Sequence, residues 1–184
     1  GKIYEFSFGG RELALRPEPL APRQLLERAA ATFQDAAAQG GVRLSVAAPP
    51  DLPAVLGDRE QLLRVLNNLV GNALRHTPAG GQVTLGACGT PEAITLTVAD
   101  TGAGIPADDV PNVFERFYRA DASRHRDTGG SGLGLAIARA IVEAHAGTVA
   151  VQSAVGRGTT FTICLPGARG AAPGDAAAGP PLSA

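Results

Sequence analysis

The sequence predicts a two-layer α/β sandwich of the α+β type, in which helices cover one face of a mixed β-sheet. Three observations favour this architecture. Apolar residues recur with helical spacing over two long segments and one shorter one. Short segments of alternating apolar and polar residues separate them, and two pairs of these segments are adjacent in the chain. The 184 residues suffice for one buried core but not for two full domains. Adjacent strand pairs beside long helices indicate two layers.

The predicted elements follow one another with short connections. They are an extended segment at 13–16, a helix at 21–39, a strand at 42–47, a helix at 58–76, strands at 82–88 and 93–99, a helix at 132–145, and strands at 148–154 and 159–165. Pro17 and Pro19 are expected to end the first segment, and Gly40-Gly41 the first helix. Asp58 is a favourable N-cap for the second helix. Residues 100–131 are predicted to be irregular, with one helical turn near 111–116.

The two ends of the chain differ from its body. Residues 1–9 contain an aromatic alternation and the only Lys, which fits either an engineered tag or an extra strand. Residues 10–166 are expected to form the folded domain. Residues 167–184 are rich in Ala, Gly and Pro and have little to bury, so a disordered tail is predicted.

Composition and charge exclude several classes of protein. The 16 Lys and Arg balance 17 Asp and Glu for a net charge of −1, so nucleic acid is not an expected partner. The apolar runs are shorter than the roughly 18 residues that a membrane span needs, so this piece is not expected to insert into a membrane. Cys88 and Cys164 are far apart in sequence and predict neither a disulfide framework nor a zinc site. A reducing compartment is therefore expected.

Two asparagines indicate a polar site on the helix predicted at 58–76. Asn68 and Asn72 lie on one face, one turn apart, beside the apolar stripe. A buried Asn without partners costs about 1–3 kcal/mol, so two of them favour a polar cleft. Arg75 and His76 follow at the C-terminal end. An ordinary surface position for both asparagines is an equal alternative on this segment alone.

Two glycine-containing motifs add chemistry that suits a nucleotide. Asp100 ends a strand, where a carboxylate accepts a hydrogen bond from an exocyclic amine, and Gly102 and Gly104 would let a flat ring approach the backbone. The turn at 129–134 opens a helix and offers free N–H groups to phosphate. It is neither a P-loop nor a dinucleotide fingerprint. A tight turn is the alternative for each motif taken alone.

The segment between these motifs carries aromatic and basic residues. The aromatic side chains within 113–119 are interpreted as a local packing cluster. Residues 121–128 are interpreted as a mobile loop whose Arg124 and Arg126 reach a polyphosphate. A last motif, at 156–159, forms a turn between two strands.

In this order, the five motifs resemble those of the ATP-binding catalytic domain of bacterial sensor histidine kinases, in the superfamily shared with gyrase and MutL ATPases. NLVGNALRHTP is similar to the N box, DTGAGIP to the first glycine box and VFERFYRAD to the F box. GGSGLGLAIARAIVEAH and GRGTTFTICLP are similar to the second and third glycine boxes. The resemblance covers about residues 13–165 and implies a sheet-and-helix fold with ATP under a mobile lid at 119–130.

The resemblance also implies site residues and two cofactors, ATP and Mg²⁺. Asn72 would bind the Mg²⁺ that bridges the phosphates, Asn68 would support it, and both, with Arg126, would be catalytic. Asp100 would bind the adenine amino group. The other implied nucleotide contacts are Arg75, His76, Gly102, Gly104, Ile105, Tyr118, Arg124, Arg126, Gly130, Gly132, Leu133, Gly134 and Thr159. Arg124 and Arg126 are alternatives for the contact with the γ-phosphate.

One position distinguishes the subfamilies. Gyrase-like ATPases carry a Glu as general base where this sequence has Asn68, and an amide cannot take up a proton. The resemblance therefore favours phosphoryl transfer to histidine over ATP hydrolysis. A degenerate nucleotide-binding module without transfer activity is the main alternative, and a gyrase- or MutL-like ATPase the lesser one.

The resemblance also implies partners. His76, His125 and His145 do not lie in the motif that surrounds a phosphoacceptor histidine, and His145 is expected to be structural. The chain is therefore expected to bind ATP without autophosphorylating alone. Its expected partners are the dimerisation domain that carries the phosphoacceptor and a response regulator. A cytoplasmic location and a monomeric state in isolation are expected.

Overall fold

The computed structural model describes residues 5–8, 11–114 and 134–169, with side chains from residue 14 onward. Over these residues the chain forms three helices, nine strands and one short 3₁₀ turn. The elements are β1 Glu5–Phe8, β2 Arg11–Ala14, β3 Glu18–Leu20, α1 Pro22–Gln39, β4 Arg43–Ala47, β5 Val55–Gly57, α2 Arg59–His76, β6 Gln82–Gly89, β7 Ala93–Asp100, the 3₁₀ turn Val110–Asn112, α3 Gly134–Ala144, β8 Thr148–Ala154 and β9 Gly158–Pro166.

In the described part of the chain, the main sheet has five strands in the order β4-β6-β7-β9-β8. The β4–β6 pair is parallel and the other three pairs are antiparallel, so the sheet is mixed. Helix α1 packs on β4 and β6, α2 on β6 and β7, and α3 on β8, with α2 between the other two helices. The predicted two-layer sandwich is confirmed.

The period-2 pattern of the strands explains which face the helices cover. In β7, Ile94, Leu96 and Val98 are buried, whereas Thr95 and Thr97 on the other face are only half-buried. The largest fully buried side chains are Phe161, Leu15, Leu26, Leu62, Leu66, Leu69, Leu85, Ile94, Leu96, Ile141, Ile163 and Leu165. Phe114 meets Phe161 edge-on, with ring centroids 5.9 Å apart. The packing role expected for the aromatic segment is thus confirmed at Phe114; the rest of that segment lies outside the described residues.

Helix α2 begins where the sequence predicts. The Asp58 carboxylate accepts a hydrogen bond of 3.2 Å from the N–H of Gln61, as an N-cap residue does. Its other oxygen accepts one of 2.9 Å from the N–H of Arg16, so the cap also holds the segment before β3. The helix ends at Thr77-Pro78, where the proline disfavours a helical conformation for the residue before it.

His145 joins the C-terminal end of α3 to the beginning of α2. Its Nδ1 lies 2.7 Å from the carbonyl oxygen of Ile141, and its Nε2 accepts a 3.0 Å hydrogen bond from the N–H of Asp58. These partners place the proton of a neutral ring on Nδ1. Burial lowers the pKa of the His145 imidazole from its ordinary value, against smaller opposing effects of Ile141 and Asp58. The structural role expected for His145 is supported.

The structure corrects the first segment of the sequence prediction. Pro19 does not end a strand but lies within β3, which pairs with β5, a strand that the sequence prediction missed. Proline is tolerated in such a short two-stranded ladder because one side of each strand needs no ladder hydrogen bond. Within residues 1–9, Glu5–Phe8 form β1, which pairs with β2.

The described chain also continues past the predicted end of the domain. Gly167 forms an isolated bridge with Val55, and the N–H groups of Ala168 and Arg169 donate to backbone carbonyls. The described backbone therefore makes contacts with the domain as far as residue 169, three positions past the predicted boundary at residue 166. None of the helices in the described ranges combines the length and apolar character needed to cross a membrane.

Candidate functional site

One side of α2 carries the polar residues that the sequence singles out. Asn68, Asn72 and His76 are spaced four residues apart, so they follow one another along that side. The Nδ2 of Asn68 donates a 3.0 Å hydrogen bond to the carbonyl oxygen of Gly134 at the start of α3. The carbonyl oxygen of His76 accepts one of 3.3 Å from the N–H of Ala103. Asn72 therefore lies between two fixed points, the start of α3 and the loop after β7.

The side chain of Asn72 is half-buried and is free to bind a ligand. Within the described ranges it makes no hydrogen bond to a protein group. Its amide oxygen is the hard donor that Mg²⁺ prefers, and Mg²⁺ commonly takes few protein ligands beside phosphate and water. No group of three or more His, Cys, Asp or Glu residues suited to a metal occurs among the described residues. The donor set thus fits a metal held chiefly by phosphates.

Asp100 is the carboxylate at the end of β7 and is 8% exposed. Its Oδ1 accepts hydrogen bonds from the N–H groups of Gly102, at 2.9 Å, and Thr159, at 3.3 Å. Among the described residues, no group donates to Oδ2. Burial raises the pKa of the Asp100 carboxyl above its ordinary value, while the two N–H groups and the charge of His76 act in the opposite direction. A hydrogen-bond donor from a ligand would satisfy Oδ2 and stabilise the ionised form.

Gly102 and Gly104 are needed for contacts within the protein itself. A Cβ on Gly102 would lie 2.2 Å from the carbonyl oxygen of His76. A Cβ on Gly104 would lie 2.1 Å from that of Ala154, and Gly104 has φ +76°, which side chains disfavour. The close backbone approach that the sequence analysis attributed to a flat ligand is, at these two positions, an approach of neighbouring backbone.

Gly134 differs from those two glycines. Among the described residues, a Cβ there would meet only Asn68, at 3.7 Å, which is an ordinary contact. Its place at the beginning of α3 puts the positive end of the helix dipole beside Asn68, in keeping with an anion site. The anion site predicted at this glycine turn stays a prediction, and the steric reason given for the close backbone approach does not apply to Gly134.

Ser153 is a site residue that sequence reasoning missed. Its Oγ accepts a 2.7 Å hydrogen bond from the N–H of Ile105 and lies 2.8 Å from Oγ1 of Thr159. It also donates to the carbonyl oxygen of Gly158, at 3.1 Å. One signal could have found it: Ser153 is the polar residue in the half-buried row of β8, in phase with Val149 and Val151.

The remaining predicted site residues fall into two groups. Arg75 and His76 are exposed at the end of α2, and Ile105 lies in the loop after β7 with its N–H held by Ser153. Those outside the described residues are Tyr118, Arg124, Arg126, Gly130, Gly132 and Leu133. The predicted lid at 119–130 is likewise outside them. The described site thus consists of one end that suits a base, at Asp100, and one that suits phosphate and metal, at Asn72.

The chain is similar in sequence to known proteins over most of its length. Residues 57–169 match the model of a family described as histidine kinase-, DNA gyrase B-, and HSP90-like ATPase. The signal transduction histidine-protein kinase BaeS of Escherichia coli (strain K12) is 40% identical over 154 residues, which are 84% of this chain and 33% of BaeS. The chain therefore spans about a third of that relative.

Solved structures give the same likeness at the level of the fold. The crystal structure of full-length ShkA in complex with AMPPNP superposes with a TM-score of 0.75 and 31% identity, over 86% of this chain and 32% of that chain. A mycobacterial sensor histidine kinase, MprB, superposes with a TM-score of 0.68 and 31% identity, over 83% of this chain and 98% of that chain. The sequence and fold comparisons therefore agree.

Proposed function

Because the chain belongs to the family of histidine kinase-, DNA gyrase B- and HSP90-like ATPases, we propose that it binds Mg-ATP and donates the γ-phosphoryl group to a histidine of a sensor-kinase dimerisation domain. In that reaction an imidazole nitrogen attacks the γ-phosphorus and ADP leaves. The observation that carries the proposal is the combination of two groups: the buried Asp100, whose Oδ2 accepts no hydrogen bond from the described residues, and the side-chain amide of Asn72, which makes none to them.

The base end of the site suits adenine. The Oδ1 of Asp100 is held by two backbone N–H groups, so the carboxylate is fixed and Oδ2 is left to accept from the 6-amino group. Because this carboxylate is largely shielded from solvent, a hydrogen bond from a ligand donor contributes more binding free energy here than it would in water. Recognition of the base therefore rests on Asp100, with Gly102 and Thr159 holding it in place.

The phosphate end suits a polyphosphate with Mg²⁺. Asn72 would hold the metal through its amide oxygen, and when bound the metal neutralises phosphate charge. Arg75 is exposed on the same helix and supplies a cation near this end. Phosphoryl transfer depends mostly on positioning and charge stabilisation. In the described part of the site, the protein contributes to positioning, because Asn72 is held between Asn68 and His76 on α2.

The position of Asn68 favours transfer to histidine over hydrolysis. Its amide donates to Gly134, a role that a carboxylate cannot fill. An amide also cannot remove a proton from water, whereas a neutral imidazole nucleophile has no proton to lose at its attacking nitrogen. The site therefore lacks, among the described residues of α2, the general base that a hydrolase needs at this place.

The proposal extends to the partners of the domain. A phosphoacceptor domain of the same kinase would receive the phosphoryl group, and a response regulator would take it next. BaeS, one of the proteins similar in sequence to this chain, is named as a signal transduction histidine-protein kinase. A cytoplasmic location follows from this role. A degenerate module that binds nucleotide without transfer is the competing function, and the intact Asn72 and Asp100 argue against it.

Calorimetric titration with ADP and an unhydrolysable ATP analogue, with and without Mg²⁺, tests the site. The parent chain is expected to bind more tightly with Mg²⁺. Asn72→Ala should lose that metal dependence yet keep binding metal-free ADP, because the base end is unchanged. Ser45→Ala, on the exposed edge strand β4, is the matched control. Absence of nucleotide binding by the parent chain, or an unchanged Mg²⁺ effect in Asn72→Ala, would contradict the proposal.

A further inference from the structure

A row of three side chains crosses the end of the sheet at the base end of the site. Asp100 on β7 is directly opposite Thr159 on β9, and Thr159 is directly opposite Ser153 on β8. Directly opposite residues point to the same face of a sheet, with Cβ atoms about 4.5–5.5 Å apart. The hydroxyl of Thr159 therefore stands between the Asp100 carboxylate and the Ser153 hydroxyl.

The partners of Ser153 decide where the hydroxyl protons lie. The N–H of Ile105 can only donate to Oγ of Ser153, and the carbonyl of Gly158 can only accept from it. The single proton of the Ser153 hydroxyl is thus used on Gly158. The 2.8 Å contact between the two hydroxyls then needs the proton of Thr159. Only this arrangement satisfies all three contacts of Ser153.

The Thr159 hydroxyl, with its proton directed at Ser153, offers only lone pairs to its other neighbours. Oδ2 of Asp100, on the same row, also only accepts when ionised. The base end of the site thus presents two neighbouring acceptors. This pattern matches an exocyclic amine, which has two N–H donors, and it opposes a carbonyl oxygen, which would leave three acceptors facing one another.

We propose that Ser153 is a positioning residue that holds the Thr159 hydroxyl as an acceptor, so that the site selects an amine over a carbonyl at C6 of a purine. The inference rests on the proposed nucleotide-binding function and adds a determinant of base specificity to it. Ser153 acts through Thr159 and is not expected to touch the base. Without Ser153, the proton of Thr159 is free to turn toward the ligand and to donate to a carbonyl.

The ratio of ADP to IDP affinity, measured by calorimetry with Mg²⁺, tests the inference. IDP carries a carbonyl where ADP carries the amine. Ser153→Ala is expected to lower the ADP:IDP affinity ratio about tenfold, the worth of one hydrogen bond. A purely structural role would weaken both nucleotides equally and leave the ratio unchanged. Ser45→Ala, a serine on another strand of the sheet, should leave both affinities at the parent values.

A double-mutant cycle with Thr159→Val separates this effect from a loss of folding. Thermal unfolding establishes that each variant is folded, and the ratio is read only from folded protein. In the Thr159→Val background, Ser153→Ala should not change the ratio further, because the hydroxyl that it controls is gone. An additional fall of the ratio in that background, or an unchanged ratio in Ser153→Ala alone, would overturn the inference. Failure of the parent chain to bind ADP would instead overturn the proposed function.

Discussion

The two oxygens of the Asp100 carboxylate differ in their hydrogen bonds, and the proposed recognition of the base rests on this difference. Oδ1 accepts from Gly102 and Thr159, whereas Oδ2 has no protein donor among the described residues. The raised pKa of this carboxyl has the same origin, because burial has removed water from the group without replacing it fully. A bound 6-amino group would complete the set of donors. Asp100 is therefore arranged to accept a hydrogen bond from a ligand, and its incompletely bonded carboxylate lowers the stability of the ligand-free protein.

Asp100→Asn is expected to reverse the preference for ADP over IDP. The introduced amide oxygen should occupy the place of Oδ1, since two N–H groups point there, and its NH₂ should then face the base. An NH₂ group repels the 6-amino group and donates to a 6-carbonyl, so ADP affinity should fall at least tenfold while IDP affinity rises. Calorimetry on both nucleotides checks this. A loss of both affinities in a folded variant would contradict it.

At the scale of the element, both ends of α3 are joined to α2, one at the middle of α2 and the other at its beginning. Asn68 binds Gly134 at the start of α3, and His145 just after α3 binds the N–H of Asp58 at the start of α2. The two hydrogen bonds fix the distance between the helix that carries Asn72 and the helix that opens at the phosphate end. The geometry of the site thus depends on contacts at its far side, where no ligand is expected.

The buried His145 imidazole, which bonds to Ile141 and Asp58, predicts a pH dependence of stability. The pKa of His145 is lowered in the folded protein, so between that value and about 6.5 the unfolded chain binds the extra proton. Unfolding free energy should therefore fall as the pH is lowered through this window and level off below it. Urea titrations at several pH values measure it. In His145→Gln, which is less stable throughout, this part of the dependence should disappear; an identical profile would contradict the assignment.

At the scale of the molecule, the described helices and sheet provide a nucleotide site, and the chain spans about a third of its relative BaeS. No histidine in this chain lies in a phosphoacceptor motif. The site and the acceptor are therefore proposed to reside in separate domains. In this proposal, transfer requires that the two domains meet so that the γ-phosphoryl group at the Asn72 end reaches the acceptor imidazole.

Labelled ATP tests this division. The chain alone is expected to take up no phosphoryl label, whereas the dimerisation domain of its kinase, added as a separate protein, should become labelled. Asn72→Ala should abolish that labelling, and Ser45→Ala should retain it. Label on the isolated chain would contradict the division of roles. Steady phosphate release without any acceptor would favour the ATPase alternative.

The sequence by itself determined the elements with strong local signals. The α2 helix was predictable from its apolar spacing, its Asp58 cap and its terminal proline, and the central strands from their alternation. The position of Asp100 at a strand end, and of Asn72 one turn after Asn68, followed from the same periodicities. The helix-covered mixed sheet followed from the order of these elements.

The tertiary structure alone decided the pairing of short segments and the contacts between distant residues. The strands β3 and β5 have three residues each, too few for a periodic signal, and they form because they pair with each other across the 34 positions that lie between them. The glycine at position 104 is required by the backbone of Ala154, and Ser153 matters because Thr159 and Ile105 meet at its hydroxyl. Such contacts depend on strand register, and register is fixed only when the whole sheet buries one face.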